Sequence, residues 1–600
     1  MVLSTLRNLF APSIAGPSGS KGRFKHSSWL LLVLLTLSTE MVSCARSQVT
    51  SKVPFIRASE HLHTAPIWGS TSVKPHRPAS CPPLRGDPNS ATPGQVSSLT
   101  GEVPWPPISN EEDPSRAVSF DHTPEVFPPF RPSNWGEGEG STLLTSARSH
   151  YRADWANPQE LCGVMGNSVD TAWLYSTGSP TTVIAVVDSG IEWCDPALVN
   201  KIYLNKAALP LPEDMYGLTK PQAEALGERI PGKDPYDLNG TGVFNVAQYA
   251  HDPRVLAVAQ DYGGFFCATH ASGKSYGYSG ISAADLIRTF GRPTLPGGRR
   301  NPYYLGEQSP AGFTEAIAGW NFVNNNNDPY DVVHYDHGTG EAEDSAAAAN
   351  TLNHEVGACP NCMVMPIRVG DSFMTSANLF AQGVLFAVDA GASVIQEALG
   401  TYDVTELARQ AVAYADAHGV PIIASAADEE SEHHNLPALL SHMIVVNSMW
   451  KSTSFKPPSY LYLNGCTNYG ANIAVTVESK YCSSQATGQA AGIVGLLESE
   501  AHKLMVEHRL TPYPGLFSPQ GKPVPLSVNE VRQLLTMNAS SVNFETPAGG
   551  FPANDYAVST GIPFVKTTRY PTKPGFNIYT GYGRINAAFI QVMGVSTLQL

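Results

Sequence analysis

The sequence predicts an α/β fold: a doubly wound, mostly parallel sheet with helices on both faces. Two observations carry that prediction. Short, mostly apolar, β-branched runs recur at 182–187, 363–369, 393–399, 420–426 and 443–446, and each reads as a strand buried on both sides. Between them lie helix-like stretches at 344–350, 377–390 and 405–418. Strands alternating with helices form βαβ units, and these build a parallel sheet covered on both faces. Active sites in such sheets gather at the carboxyl ends of the strands. The residues just beyond each apolar run are therefore the ones to read for chemistry.

Composition fits a chain with a sizeable core. Of the 600 residues, 42% are hydrophobic and 15% charged, ordinary values for a globular protein. The formal net charge of −14 argues against a nucleic-acid partner, because phosphate recognition needs a basic surface.

Three regions precede or interrupt the periodic pattern. In residues 1–44, Lys21, Arg23 and Lys25 stand before a short apolar run, Trp29 to Leu37, followed by small residues as far as Cys44. That run is far below the ~20 residues a membrane-spanning helix needs, but it suits the core of a signal peptide. Met41-Val-Ser-Cys44 resembles a lipobox, whose cysteine carries lipid after cleavage; ordinary signal cleavage is the alternative. Either implies an extracytoplasmic chain, secreted or lipid-anchored. Residues 45–150 are rich in Pro, Ser, Gly and Thr without sustained periodicity, and read as a tether or a loosely ordered pro-segment. Residues 151–595 then form the main domain, with a long irregular insertion over about 205–320.

Within the insertion, Asp237-Leu-Asn239-Gly-Thr-Gly-Val-Phe-Asn-Val-Ala-Gln248 has the outline of a calcium loop, with Gly242 at the sharp turn. Thr241 stands at its fifth position and Gln248 at its twelfth. Without the bidentate acid at the end, tight Ca²⁺ binding is not expected, so Asp237 and Asn239 are at most a degenerate site. There are nine cysteines. If Cys44 carries lipid, an even number is left for disulfides, whose pairing sequence alone does not give. Cys359-Pro-Asn-Cys362 runs into an apolar strand rather than opening a helix, and there is no second Cys-x-x-Cys for a zinc site. It reads as a structural disulfide or a turn.

Acyl transfer by a serine needs a nucleophile, a base within hydrogen-bonding reach and a carboxylate that orients the base. Val186-Val-Asp188-Ser-Gly-Ile191 sets a carboxylate at the end of a buried strand. His337-Gly-Thr-Gly-Glu-Ala342 sets an imidazole at the mouth of a small-residue helix. Cys482-Ser-Ser484-Gln-Ala-Thr-Gly488 sets a serine at the start of an apolar helix. Singly these would be a capping Asp, a surface His and a serine N-cap. Together, in the order Asp, His, Ser, they follow the subtilisin arrangement.

The chain thus resembles the subtilase family of serine peptidases. The resemblance runs from about Leu161 to about Ile590, interrupted by the insertion. It takes in the lead-in from Asp170 to Gly190, the His337 motif and the stretch 394–400, similar to the strand that pairs with extended substrate. It continues through 420–428, similar to the strand ending at the oxyanion residue, and 581–587, similar to the C-terminal signature. It implies a subtilisin-like fold and a serine endopeptidase acting on protein or peptide substrates without a required cofactor. Asp188, His337 and Ser484 would be catalytic, Ala398, Leu399 and Gly400 substrate-binding, and Asp428 the oxyanion residue. Ser484 rather than Ser483 takes the nucleophile's place, because Ala486 and Gly492 then fall where the family has Ala and Gly.

Several positions depart from the family's pattern. Cys482, Gly488 and Gly340 replace Gly, Pro and His, and Asp428 stands where the family has Asn. An ionised carboxylate would repel a developing oxyanion, whereas its protonated form can donate to it. A catalytically impaired binding protein of the cell envelope is therefore the competing expectation. A lone Gly273-Lys-Ser-Tyr-Gly277 matches the esterase elbow pattern, but no clean apolar strand precedes it.

Overall fold

The computed structural model describes residues between Asn167 and Ile590, apart from isolated positions and the stretches 227–233, 307–315, 349–355, 453–458 and 540–575. The charged and apolar leader, Cys44 and the Pro-rich region 45–150 lie outside the described residues. Among the described residues no helix is long and apolar enough to cross a membrane.

The sheet follows from its apolar runs. Strands β1 (Val183–Asp188), β2 (Trp320–Asn321), β3 (Met363–Arg368), β5 (Val394–Glu397), β7 (Ile422–Ser425), β8 (Met443–Ser452) and β10 (Ile473–Glu478) are ordered 10-8-7-5-1-3-2. Neighbours along this order are parallel. A further strand, β9 (Ser459–Leu463), runs antiparallel beside β8. Two short strands, β4 (Met374–Thr375) and β6 (Gly400–Thr401), pair in a separate sheet. Strand order reverses around β1, whose neighbours are β3 and β5, so the crevice at its carboxyl end is where a doubly wound sheet places its site.

Both faces of the sheet are covered. Val183, Ala185 and Val187 face the core formed with helices α2 (Ala377–Asp389) and α3 (Glu406–Ala417). On the other face lie α1 (His337–Ala346) and α4 (Cys482–Val506), which pack on one another. A Cβ at Gly495 would come within 3.1 Å of the Ile184 side chain, so α4 approaches β1 closely. The alternation of β1 between these two layers explains why its whole run is apolar.

Two expectations need correction. The helix expected at 344–350 begins instead at His337 and ends at Ala346. The chain returning at 358–359 ends it: the Ala358 and Cys359 amides bond the Asp344 and Ser345 carbonyls at 3.0 and 2.8 Å. The insertion is also not irregular throughout. It carries short helices such as Pro253–Asp261, where Asp252 caps the start and Pro takes the first position, and Ala283–Phe290, opened by a Ser282/Asp285 capping box. Gly273 and Ser275 fall within the short helix Ala271–Tyr276, and the Ser275 hydroxyl donates to the Ala271 carbonyl. That is not an esterase elbow.

Disulfides join Cys359 to Cys362, as the sequence suggests, and also Cys194 to Cys267 and Cys466 to Cys482. The first closes the turn leading into β3. The second ties the β1 loop to the insertion, and the third ties the start of α4 to the segment before β10.

Candidate active site

Asp188 is the last residue of β1, and the chain turns sharply after it. Gly190 has φ of +110°, and a Cβ there would sit 2.5 Å from the Pro329 carbonyl oxygen. A Cβ on Gly338 would in turn sit 2.3 Å from the Gly190 carbonyl oxygen. The glycines of the two motifs therefore let the β1 turn and the first turn of α1 touch through their backbones. Contact brings the side chains into line: the His337 Nδ1 lies 2.9 and 3.1 Å from the two Asp188 carboxylate oxygens. The other ring nitrogen, Nε2, lies 3.1 Å from the Ser484 hydroxyl.

Ser484 owes its position to the start of α4. Cys482, in the left-handed region at φ of +55°, turns the chain into the helix. Ser483 points the other way. It is buried, its amide and hydroxyl donate to Asp428 Oδ1 at 2.9 and 2.5 Å, and its oxygen lies 2.7 Å from the Ser425 hydroxyl. The structure therefore sets Ser484, and not Ser483, beside the imidazole. Asp428 caps the helix through these bonds.

A further group beneath the pair carries no local sequence signal. Asp331 is buried and accepts from the hydroxyls of Ser189 at 3.1 Å and Thr339 at 3.0 Å. The Ser189 hydroxyl also lies 2.9 Å from the Gly338 amide, which donates to it. Asp331 thus couples the turn after Asp188 to the first turn behind His337. It lies in an ordinary polar loop, Asn327-Asp-Pro-Tyr-Asp331, and only the fold reveals what it faces.

The charges around the imidazole act in one direction. Burial pushes the His337 pKa down, but the charge and hydrogen bond of Asp188, with help from Asp331 and Asp428, outweigh it and leave the group above its ordinary value. For Asp428, burial pushes the carboxyl up and exceeds the opposing effect of the two Ser483 bonds. Its surface is nonetheless exposed, so water screens that environment and holds the rise down.

The stretch similar to a substrate-pairing strand takes an unexpected form. Ala398 and Leu399 are 7% and 1% exposed, and Gly400 is also buried. The Gly400 amide donates to the Phe373 carbonyl at 2.7 Å, and Met374 pairs opposite Gly400. The Phe373 ring meets the His337 ring edge to face, centroids 4.8 Å apart.

The degenerate calcium loop has the geometry of such a loop with a side-chain amide at its centre. Gln248 Nε2 lies 3.3 Å from Asp237 Oδ1, 2.8 Å from Asn239 Oδ1, 3.5 Å from the Thr241 hydroxyl and 2.6 Å from the Val243 carbonyl. Its Oε1 accepts from the Leu238 and Asn239 amides. Reversing the amide would set oxygen against oxygen and N–H against N–H, so the network fixes its orientation. The residues present do not fit a cation there: the donor oxygens are already satisfied by an N–H₂ group, and Asp237 is the single carboxylate among them.

This geometry coincides with a family. The chain matches the model of the subtilase family over residues 179–583. It belongs to the subtilase family. Thermitase from Thermoactinomyces vulgaris is 30% identical over 200 residues, covering 31% of this chain and 68% of thermitase. A thermophilic serine proteinase from Bacillus sp. (strain AK1) is 29% identical over 175 residues, covering 29% of this chain and 41% of that relative. Among solved structures, a lanthipeptide protease aligns over 70% of this chain and 89% of its own, with a TM-score of 0.37 and 14% identity. The subtilase fold and a peptidase lineage follow from the family, and with them a protein or peptide as the class of substrate.

Proposed function

We propose that this subtilase is a serine endopeptidase that cleaves peptide bonds through an acyl-enzyme on Ser484. The observation that carries the proposal is the single imidazole bridging Asp188 on one side and Ser484 on the other within hydrogen-bonding distance. His337 would take the hydroxyl proton as Ser484 attacks the carbonyl carbon, then pass it to the leaving amine. Asp188 would hold the ring in the required tautomer and offset its positive charge. Water would repeat the sequence to release the acid product. Asp428 would donate to the oxyanion only when protonated. Ala398, Leu399 and Gly400 would pair with the extended substrate.

A second reading, an impaired subtilase-fold binding protein, draws on Asp428 alone. The two readings separate in one experiment. A fluorophosphonate should label the wild type, with or without a chelator, and fail to label Ser484→Ala. An unlabelled wild type would favour the binding protein.

We also propose that the chain is exported and anchored by lipid on Cys44, from the charged, apolar, small-residue order that ends there. Mass spectrometry should find a mature terminus at Cys44 bearing lipid. A soluble mature chain beginning past Cys44 would remove the lipid, and an intact Met1 would remove the cleavage.

A further inference from the structure

The edge expected to receive substrate is already paired. An extended peptide adds to a strand by exchanging main-chain hydrogen bonds with free N–H and C=O groups. Here the Gly400 amide donates to the Phe373 carbonyl at 2.7 Å, and the next amide, Thr401, donates to the Leu436 carbonyl at 2.6 Å. The Leu399 carbonyl accepts from the Asn435 side chain at 3.2 Å. Side chains close the same edge. A Cβ on Gly400 would lie 2.5 Å from the Met374 sulfur and 3.0 Å from Asn435 Oδ1, so no room is left above that backbone. Phe373, 54% exposed, lies against the His337 ring on its way to solvent.

We propose that Phe373–Thr375 is a strap that occupies the substrate's own place on the Gly400 edge, so that the enzyme rests closed and an extended polypeptide must displace it. This rests on the reading of Ser484 as nucleophile and of Gly400 as part of the substrate edge. The exchange is between like partners: β4 leaves β6, the incoming main chain takes the Gly400 amide, and the hydrogen-bond count is kept. What opposes opening is chiefly the apolar contact of Met374 over Gly400 and of Phe373 on His337. A short or rigid ligand cannot supply a replacement strand. The strap therefore selects for unfolded, extended segments and leaves the folded surfaces of other proteins alone. It also shields His337 from water while the site is empty.

Two measurements on the mature chain test the strap. Met374→Gly removes the sulfur over Gly400 without touching the triad. It should raise kcat/KM for an unstructured polypeptide by roughly fourfold to fifteenfold, the effect of losing about one or two methylenes' worth of apolar contact. Labelling of Ser484 by a small fluorophosphonate, which needs no extended groove, should keep its rate. An unchanged or lower kcat/KM beside unchanged labelling overturns the strap, because Met374 would then be an inert or a useful wall of the groove. The other measurement needs no turnover. In Ser484→Ala, hydrogen exchange with saturating extended peptide should show Phe373–Thr375 losing protection while Gly400 keeps it. Protection retained throughout by both segments, with peptide bound, also overturns the proposal. Failure of the nucleophile reading looks different, since wild type would then go unlabelled while the exchange result still judges the strap.

Discussion

The two halves of the site use the same kind of side chain to opposite effect. On one side, Asp188 lies against the ring nitrogen of His337 at 2.9 Å, where positive charge develops as the imidazole takes a proton. On the other, Asp428 lies near the start of α4, tied to Ser483 at 2.9 Å, where negative charge develops on the substrate oxygen. The first carboxylate stabilises by being ionised. The second helps only by being neutral. Residue types alone are enough to propose the first half, while the second depends on protonation.

The comparison breaks most sharply at Asp188. Asp188→Asn should keep the fold, because the amide is isosteric, yet lower kcat by about 10⁴ through loss of the required imidazole tautomer. It should also lower the His337 pKa, since Asp188 is the main group raising it. The loss of rate should then be smaller at low pH than at high pH. A steady-state profile beside a circular dichroism melt checks both. A loss under tenfold would mean that His337 is oriented by something else, with Asp331 the nearest group to ask.

Asp428→Asn sharpens the other half and should act in the opposite sense. On the proposed mechanism, catalysis needs His337 deprotonated and Asp428 protonated at once. His337 is raised above its ordinary value of ~6.5, and Asp428 above its ordinary ~3.9. The product of the two fractions peaks midway between the two values. An Asn keeps an oxygen for the Ser483 donors and offers an N–H₂ that does not titrate. The expected gain is largest near ~pH 8 and approaches 10²-fold there, the value of one oxyanion donor, and shrinks toward ~pH 5. Equal rates for the two forms at every pH would show that Asp428 does not face the oxyanion.

How much of this was legible in the sequence follows from the range over which each feature is encoded. The sheet was, because strands such as 183–188 and 363–368 are buried on both faces and so are apolar throughout. Strand β10 is not legible in the same way although 473–478 is equally buried, because Thr476 and Glu478 break its apolar run. The helix carrying His337 was placed too late because its first turn, His-Gly-Thr-Gly, has low helical propensity, and only contact with the β1 turn makes it helical. The motifs of Asp188, His337 and Ser484 are readable because each of these residues stands at a fixed place on its element. The roles of Asp331, Phe373 and Gln248 are not. Each is defined by groups distant in sequence or by what fills a space, and no local pattern encodes that.

Ser483 offers the smallest effect and the finest discrimination between the halves. It is the other serine at the start of α4, and its side chain is turned to Asp428 and Ser425 rather than to the imidazole. Its hydroxyl and amide both donate to Asp428 Oδ1, and hydrogen bonds to a carboxylate favour the ionised form. Ser483→Ala removes the hydroxyl donor and leaves the amide. The Asp428 pKa should therefore rise, the neutral donor should persist to higher pH, and the ratio of variant to wild-type rate should climb as pH rises. The shift should be small, because the carboxylate is open to solvent. Loss of the Ser425 contact at 2.7 Å will cost some stability, on the order of 1 kcal/mol for a buried hydroxyl pair. A purely structural role would lower activity equally at every pH. A rate ratio that climbs with pH, with fluorophosphonate labelling retained, would identify Ser483 as a group that tunes Asp428 while Asp188 continues to set the imidazole.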